Sequence, residues 1–326
     1  MSLSERLEEA KDRLKDIKIM VLGDSVIDRY ALVEPEGISR EAPIPAVSIK
    51  REYYTLGASF NAVKSLLELS ASPIYVTAVG SDSEGELFAK RVKGEVKDSE
   101  VISDSKRSTD SVFRVYSNGY LMLWAEKSSK KPLSKEAESK IIKKLKERSS
   151  EAKAIIVSDH ARGFLTKDIR EAVVQAAKSN SVPVIINGRP ENIYLYEGAD
   201  YLRMNREDAV KLTGIAPINS TSYRNMALKL SSISKVENVM ITWLEDGFYA
   251  LKGESFFSVK PVSFKPSRLT GIGDVIVASF SVFLSLGFSY EDSVRLSYYA
   301  SLLKAQGEGS KGRFIDRLID FLKQVS

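Results

Sequence analysis

"AKAIIVSDHARGFLTKDIREAVVQAAKSNSVPVIIN", Ala152 to Asn187, decides the fold. Two short β-branched apolar runs flank a stretch whose apolar residues recur every three or four positions. A continuous apolar run of that length reads as a strand buried on both faces, and an amphipathic helix is the connection that a parallel pair needs. The same alternation extends outward through IKIMVLG, NAVKSLLELS, PIYVTAVG and SEGELFAKRVKG. The chain therefore reads as α/β, a doubly wound, mostly parallel sheet with helices on both faces.

Two segments break this rhythm. Residues 29–55 and 109–126 read as strands with no helices to cover them, and SNGY at Ser117 to Tyr120 fits a hairpin turn. We expect a small projecting β-sheet here, acting as a lid or as the contact between two copies, since an uncovered sheet face invites a partner. The expected division is an α/β core of residues 1–28, 56–108 and 127–326, with a lid of 29–55 and 109–126.

Composition narrows the chemistry. Among 326 residues there is no cysteine and one histidine, His160. Disulfides, thiolate metal sites and Cys nucleophiles are excluded, and a His-based metal site or Ser-His-Asp triad is disfavoured. No run of eighteen apolar residues exists, and the charged N-terminal stretch lacks the apolar centre of a leader peptide, so we expect a cytoplasmic protein away from membranes. The net charge of +5 is dispersed, and its densest part, KIIKKLKERSS, reads as the solvated face of a helix. Anionic small molecules suit that charge, and nucleic acid is not expected.

In doubly wound sheets ligands gather beyond the carboxyl ends of the strands. Polar residues follow the apolar runs: Asp24 and Asp28, Asp159, Gly188 and Arg189, Asn205, and finally Gly271 to Asp274 in LTGIGDVIVASF. Two glycines leading into a helix let backbone N–H groups cradle negative charge. Asp274, in the first turn, either caps that helix or takes a proton from a hydroxyl attacking a bound phosphate. The spacing alone leaves both open.

LTGIGDVIVASFSVFLSLG resembles the C-terminal signature of the ribokinase-like, or PfkB, sugar kinases. VLGDSVIDRY is similar to the first strand of that family, LGASFNAV to its glycine-rich substrate turn, and MNREDAVKLTG to its Asn-x-x-Glu motif. The resemblance implies an ATP-dependent phosphotransferase requiring Mg2+. It implies Asp274 as general base, with Gly271, Ile272 and Gly273 as the anion hole. Asp28, Gly57, Asn61, Glu126 and Asp159 would contact the sugar. Asn205, Arg162, Arg189, Thr242 and Gly247 would contact the nucleotide or its phosphates, with Arg203 a further candidate. Asp208 and Glu207 would meet the metal through water.

A narrower likeness joins GDSVIDRY, ISREAPIPAVSI, VSDHARGFLT, YLYEGADYLRMNRED and RSTDSVFRVYSNGYLMLWAEK to the kinase half of bacterial enzymes that phosphorylate heptose 7-phosphate at its anomeric hydroxyl. It implies a homodimer through the lid sheet. Departures from the family are Ala58 for glycine, Arg162 for lysine, Asn187 for aspartate, Asp208 for glutamate and Leu244 for glycine. Arg268 stands where a potassium-binding loop usually carries aspartate, and a guanidinium cannot ligate a cation. His160 replaces a tyrosine and is expected to shape the pocket. Two rivals remain: another kinase of this family, acting on ribose, ketodeoxygluconate or a nucleoside, and a catalytically silent sugar- or nucleotide-binding protein.

Overall fold

A computed structural model describes residues 1–263, 271–307 and 314–325. Among these residues the chain forms thirteen strands: β1 (Lys18–Gly23), β2 (Ser25–Ile38), β3 (Pro45–Ala58), β4 (Ser72–Gly80), β5 (Ser99–Asp104), β6 (Asp110–Ser117), β7 (Tyr120–Lys127), β8 (Ala154–Ser158), β9 (Val184–Asn187), β10 (Tyr201–Asn205), β11 (Asn238–Trp243), β12 (Gly247–Lys252) and β13 (Ser255–Val259). Nine of them make one sheet in the order β13-β12-β11-β10-β9-β8-β1-β4-β5. Every pairing from β11 to β5 is parallel, and only the pairings β11–β12 and β12–β13, at one edge, are antiparallel.

Strand alternation divides the core into two layers. Ile19 and Val21 face the helices Phe60–Glu68, Ile272–Ser285 and Tyr290–Ala305, while Met20 and Leu22 face Lys135–Arg148, Lys167–Asn180 and Ser220–Ser234. The helix predicted inside the opening stretch starts where Thr166 Oγ1 accepts the Ile169 N–H at 3.2 Å, and it ends at Ser181 in the left-handed region. Strand order runs one way from β1 through β4 to β5 and the other way from β1 through β8 to β13, so a crevice opens at the carboxyl ends beside β1.

The second sheet has the order β3-β2-β6-β7. Its strands reach past segments 29–55 and 109–126, because Ser25 to Asp28 already pair with Thr55 to Ala58. Asn118 and Gly119 take φ of 50° and 83° in the hairpin between β6 and β7, the turn that SNGY predicts. β7 is exposed along its whole length, with Tyr120, Leu121, Met122, Leu123 and Trp124 open to solvent. Among the described residues no helix is long and apolar enough to cross a membrane.

Candidate active site

The helix Ile272–Ser285 begins at the carboxyl edge of the large sheet, capped by Gly271 at φ 80° with no side chain to take its first N–H groups. That backbone geometry favours glycine, and a Cβ there would also stand 3.3 Å from Asn61. Gly273 is tighter still: a Cβ would lie 2.5 Å from the guanidinium of Arg203. Both glycines are close approaches, and they bare the positive end of a fourteen-residue helix to the crevice.

Asp274 follows, 2 % exposed. Ser158 Oγ, at the end of β8, donates to its Oδ1 at 2.6 Å, and Asn187 Nδ2, at the end of β9, donates to the same oxygen at 2.9 Å. His160 Nε2 lies 3.7 Å from it. Burial by itself would raise this carboxyl, but the electrostatic influence of His160 and the hydrogen bonds from Ser158 and Asn187 outweigh it and hold the group below the ordinary carboxylate value. The side chain is a fixed, ionised base candidate. It does not cap its own helix: the N-cap is Gly271, with no side-chain hydrogen bond.

Around it lies a cleft of about 420 Å³. The small sheet contributes Val26, Asp28, Val112 and Arg114, with Asn61 beside them; Arg114 Nη1 donates to Asp28 Oδ1 at 2.6 Å. The large sheet contributes Asn187, Arg189, Arg203, Asn205 and Thr242, and the loop after β8 contributes His160 and Arg162. An apolar wall of Trp243, Leu244, Phe248 and Ile276 closes one side, with the Arg206 guanidinium 3.9 Å from the centre of the Trp243 ring. A sheet edge carrying a glycine-bared helix start, a buried ionised carboxylate and several guanidinium groups is suited to moving a phosphoryl group onto a hydroxyl.

The pfkB family carbohydrate kinase pattern matches residues 16–314. The chain belongs to that family. Its members are phosphotransferases, and the reaction class expected from the sequence stands with the membership. The bifunctional protein HldE of Wolinella succinogenes is 30 % identical over 271 residues, covering 83 % of this chain and 57 % of that protein. Its counterpart from Sulfurimonas denitrificans is 28 % identical over 285 residues, covering 87 % and 60 %. The chain thus spans less than two thirds of these relatives. In solved structures, Arabidopsis thaliana ribokinase complexed with ribose and ATP matches with a TM-score of 0.71 at 19 % identity, over 94 % of this chain and 99 % of that one. The tetrameric inhibited form of Escherichia coli phosphofructokinase-2 matches at 0.72 and 14 %, over 94 % and 99 %. These two likenesses concern the fold.

Within this pfkB fold the expected site residues divide. Asp28, Asn61, Arg162, Arg189, Asn205, Glu207, Thr242 and the run Gly271, Ile272, Gly273, Asp274 all line the cleft. Gly57 stands behind Asp28, whose Oδ2 would collide with any Cβ at that position. Asp159 is brought elsewhere: its carboxylate is buried, accepting hydrogen bonds from the Tyr196 hydroxyl at 2.5 Å, Asn192 Nδ2 at 2.9 Å and the Ala161 N–H at 2.9 Å. Glu126, on β7 opposite Val112, pairs with Arg162 of the cleft wall without lining the cleft itself, and it also borders a groove formed with Ser111 and Phe113. Gly247 serves the hairpin joining β11 to β12, at φ 87° with the Val259 carbonyl where a Cβ would be. Asp208 is tied to Arg189 at 3.2 Å and to Asn205 Nδ2 at 2.7 Å. Asn205 Oδ1 in turn accepts the Asp208 N–H at 2.7 Å, so this pair also performs ordinary helix capping. Arg268 lies outside the described residues.

Two contributors were not read from the sequence. Ser158, the residue before Asp159, is the one whose side chain reaches Asp274; strand alternation puts neighbours on opposite sides, and the carboxylate drew the reading. Arg114 shares a face of β6 with Val112, a period-two signal that the sequence does carry.

Proposed function

We propose that the protein transfers the γ-phosphoryl group of ATP to the anomeric hydroxyl of heptose 7-phosphate. The observation that carries this reading is the ionised Asp274 carboxylate, fixed through Oδ1 beside a helix start that only glycines could leave so open. Asp274 accepts the hydroxyl proton, and the amides from Gly271 to Gly273 meet the charge on the moving group. Asp28 and Asn61 orient the sugar. Arg162 and Arg114 sit on the side of the cleft nearest the small sheet, which suits a substrate already bearing a phosphate. The apolar wall of Trp243, Leu244, Phe248 and Ile276 suits the flat base of a nucleotide. The likeness of ISREAPIPAVSI and its companion segments to heptose 7-phosphate kinases, and the relatives named HldE, favour heptose over other sugars.

Magnesium fits this site in one manner only. Among the described residues no three acidic or histidine side chains gather as a metal cage. Glu207 lines the cleft and Asp208 is already paired with Arg189, a donor set suited to an ion that arrives on the nucleotide and meets the protein through water. Bound there, it would lower the negative charge of the phosphates. The exposed apolar strand β7 supports a homodimer through the small sheet, with that sheet closing over the sugar. ATP chemistry of this kind belongs in the cytoplasm.

ATP consumption measured against heptose 7-phosphate, ribose, ketodeoxygluconate and a nucleoside tests the reading. Turnover with heptose 7-phosphate well above the others is expected. Turnover on ribose or a nucleoside alone would remove the heptose assignment. Nucleotide binding with no turnover on any acceptor would make the protein a silent binder.

A further inference from the structure

Four arginines line the cleft, and three of them hold carboxylates. Arg114 holds Asp28 at 2.6 Å, Arg162 holds Glu126 and Asp110, and Arg189 holds Asp208 at 3.2 Å. Arg203 is different. Its Nε donates to Thr242 Oγ1 at 2.9 Å and its Nη1 to Asn187 Oδ1 at 3.1 Å, both neutral acceptors, and among the described residues no carboxylate lies within ion-pair distance. The guanidinium is thereby fixed in place with no carboxylate in contact, and Asp274 and Asp208 favour its charge only from beyond that distance. It is pressed against Gly273, at the positive end of the helix Ile272–Ser285, and it shares the cleft with the Arg189 cation. Burial, then Arg189, push its pKa down to about 10, so the charge survives at neutral pH but is held at a cost.

A sequestered cation without a partner destabilises a fold, and such groups concentrate where function requires them. We propose that Arg203 is a catalytic residue whose guanidinium binds the transferring phosphoryl group and takes up the charge that develops on it. This rests on the kinase reading above. In the step, the acceptor hydroxyl oxygen bonds to the γ-phosphorus as the bond from that phosphorus to the β–γ bridging oxygen breaks. The hydroxyl proton passes to Asp274, ADP leaves with the bonding pair, and Arg203 keeps all its protons. Asn187 links the two groups: its Nδ2 donates to Asp274 while its Oδ1 accepts from Arg203. An aspartate at 187 would serve the arginine but repel the base, which gives the asparagine here a physical reason.

The test compares wild type with Arg203→Met, which keeps bulk and loses charge, and with Arg203→Lys. Relieved of a desolvated cation that no carboxylate contacts, Arg203→Met should melt at or above the wild-type temperature. Its ADP affinity should stay within a few-fold, because ADP lacks the transferred group. Its kcat should fall about 10²–10³-fold, the usual cost of one preorganised donor to a transition-state anion. Free guanidinium ion should restore part of the turnover of Arg203→Ala, a response that a merely structural arginine would not give. Turnover of Arg203→Met within tenfold of wild type would overturn the proposal and leave the kinase reading standing. So would a lower melting temperature in both Met and Lys variants with loss of ADP binding. Wild-type protein inactive on every acceptor would remove the kinase reading, and this proposal with it.

Discussion

Asp159 and Asp274 stand at the same edge of the large sheet, each 2 % exposed, and their surroundings push them in opposite directions. Burial and then repulsion from Asp24 raise the Asp159 carboxyl, with hydrogen bonds from Tyr196, Ala161 and Asn192 offsetting only part of this. Burial acts on Asp274 too, yet nearby His160 and the hydrogen bonds from Ser158 and Asn187 more than reverse it. Depth does not decide whether an acid is a base in waiting; the partners around it do. Asp24 shows what the first arrangement is for. Its carboxylate accepts the N–H groups of His160 at 2.8 Å and Phe164 at 3.0 Å, so Asp24 fixes the loop that Asp159 also braces. One carboxylate pair shapes the loop, and the other aspartate faces the cleft.

The most severe way to break this contrast is to remove each charge in turn. Asp274→Asn should lower turnover about 10²–10⁴-fold, the usual worth of a positioned base, while nucleotide affinity stays near wild type. Asp159→Asn should leave turnover within a few-fold. Steady-state kinetics with calorimetric nucleotide titration reads both, and equal losses in the two variants would erase the distinction.

Stability against pH sharpens it. The fold favours the protonated form of Asp159, so its ionisation costs stability that appears as pH rises from about 4, the ordinary carboxylate value, through the raised one. The fold favours the ionised form of Asp274, so its contribution is present above about pH 4 and is lost as pH falls through the lowered value. Relative to the parent, Asp159→Asn should therefore gain stability as pH rises, and Asp274→Asn should gain it as pH falls. Denaturant melts from acidic to neutral pH give the two slopes, and slopes of the same sign would contradict the assignment.

The smallest effect belongs to His160→Gln. Losing the histidine removes one influence that holds Asp274 low, so the acidic limb of the kcat profile should move to higher pH while turnover at neutral pH changes only a few-fold. An unmoved limb would show that Ser158 and Asn187 suffice to hold the carboxylate.

Much of the architecture was legible because it is local. The runs flanking Lys167–Asn180 specify their strands by unbroken apolar character, and the helix between them by its period. SNGY specified its turn because few residues tolerate two successive positive φ values. Positions after the strand ends pointed to the cleft region for the same reason: a parallel sheet presents those ends together. Direction was the weak point. Ser158 and Asp159 are adjacent, and nothing local says that the serine reaches Asp274 while the aspartate turns toward Tyr196. Gly247 likewise looks like a contact in a motif, and it is a hairpin residue because Val259 crosses beside it.

By itself the amino-acid order determined the succession of strands and helices and the glycine-bared helix start with Asp274 in its first turn, since these rest on neighbours within a few positions. Only the tertiary structure decided the charge pattern of the cleft. The partners that hold Asp274 ionised come from 116 and 87 positions away, and the carboxylates that pair with three arginines but not with Arg203 arrive from two strands and a helix. Electrostatic character is set by through-space distance and solvent exclusion, and a linear sequence specifies neither until the chain has folded.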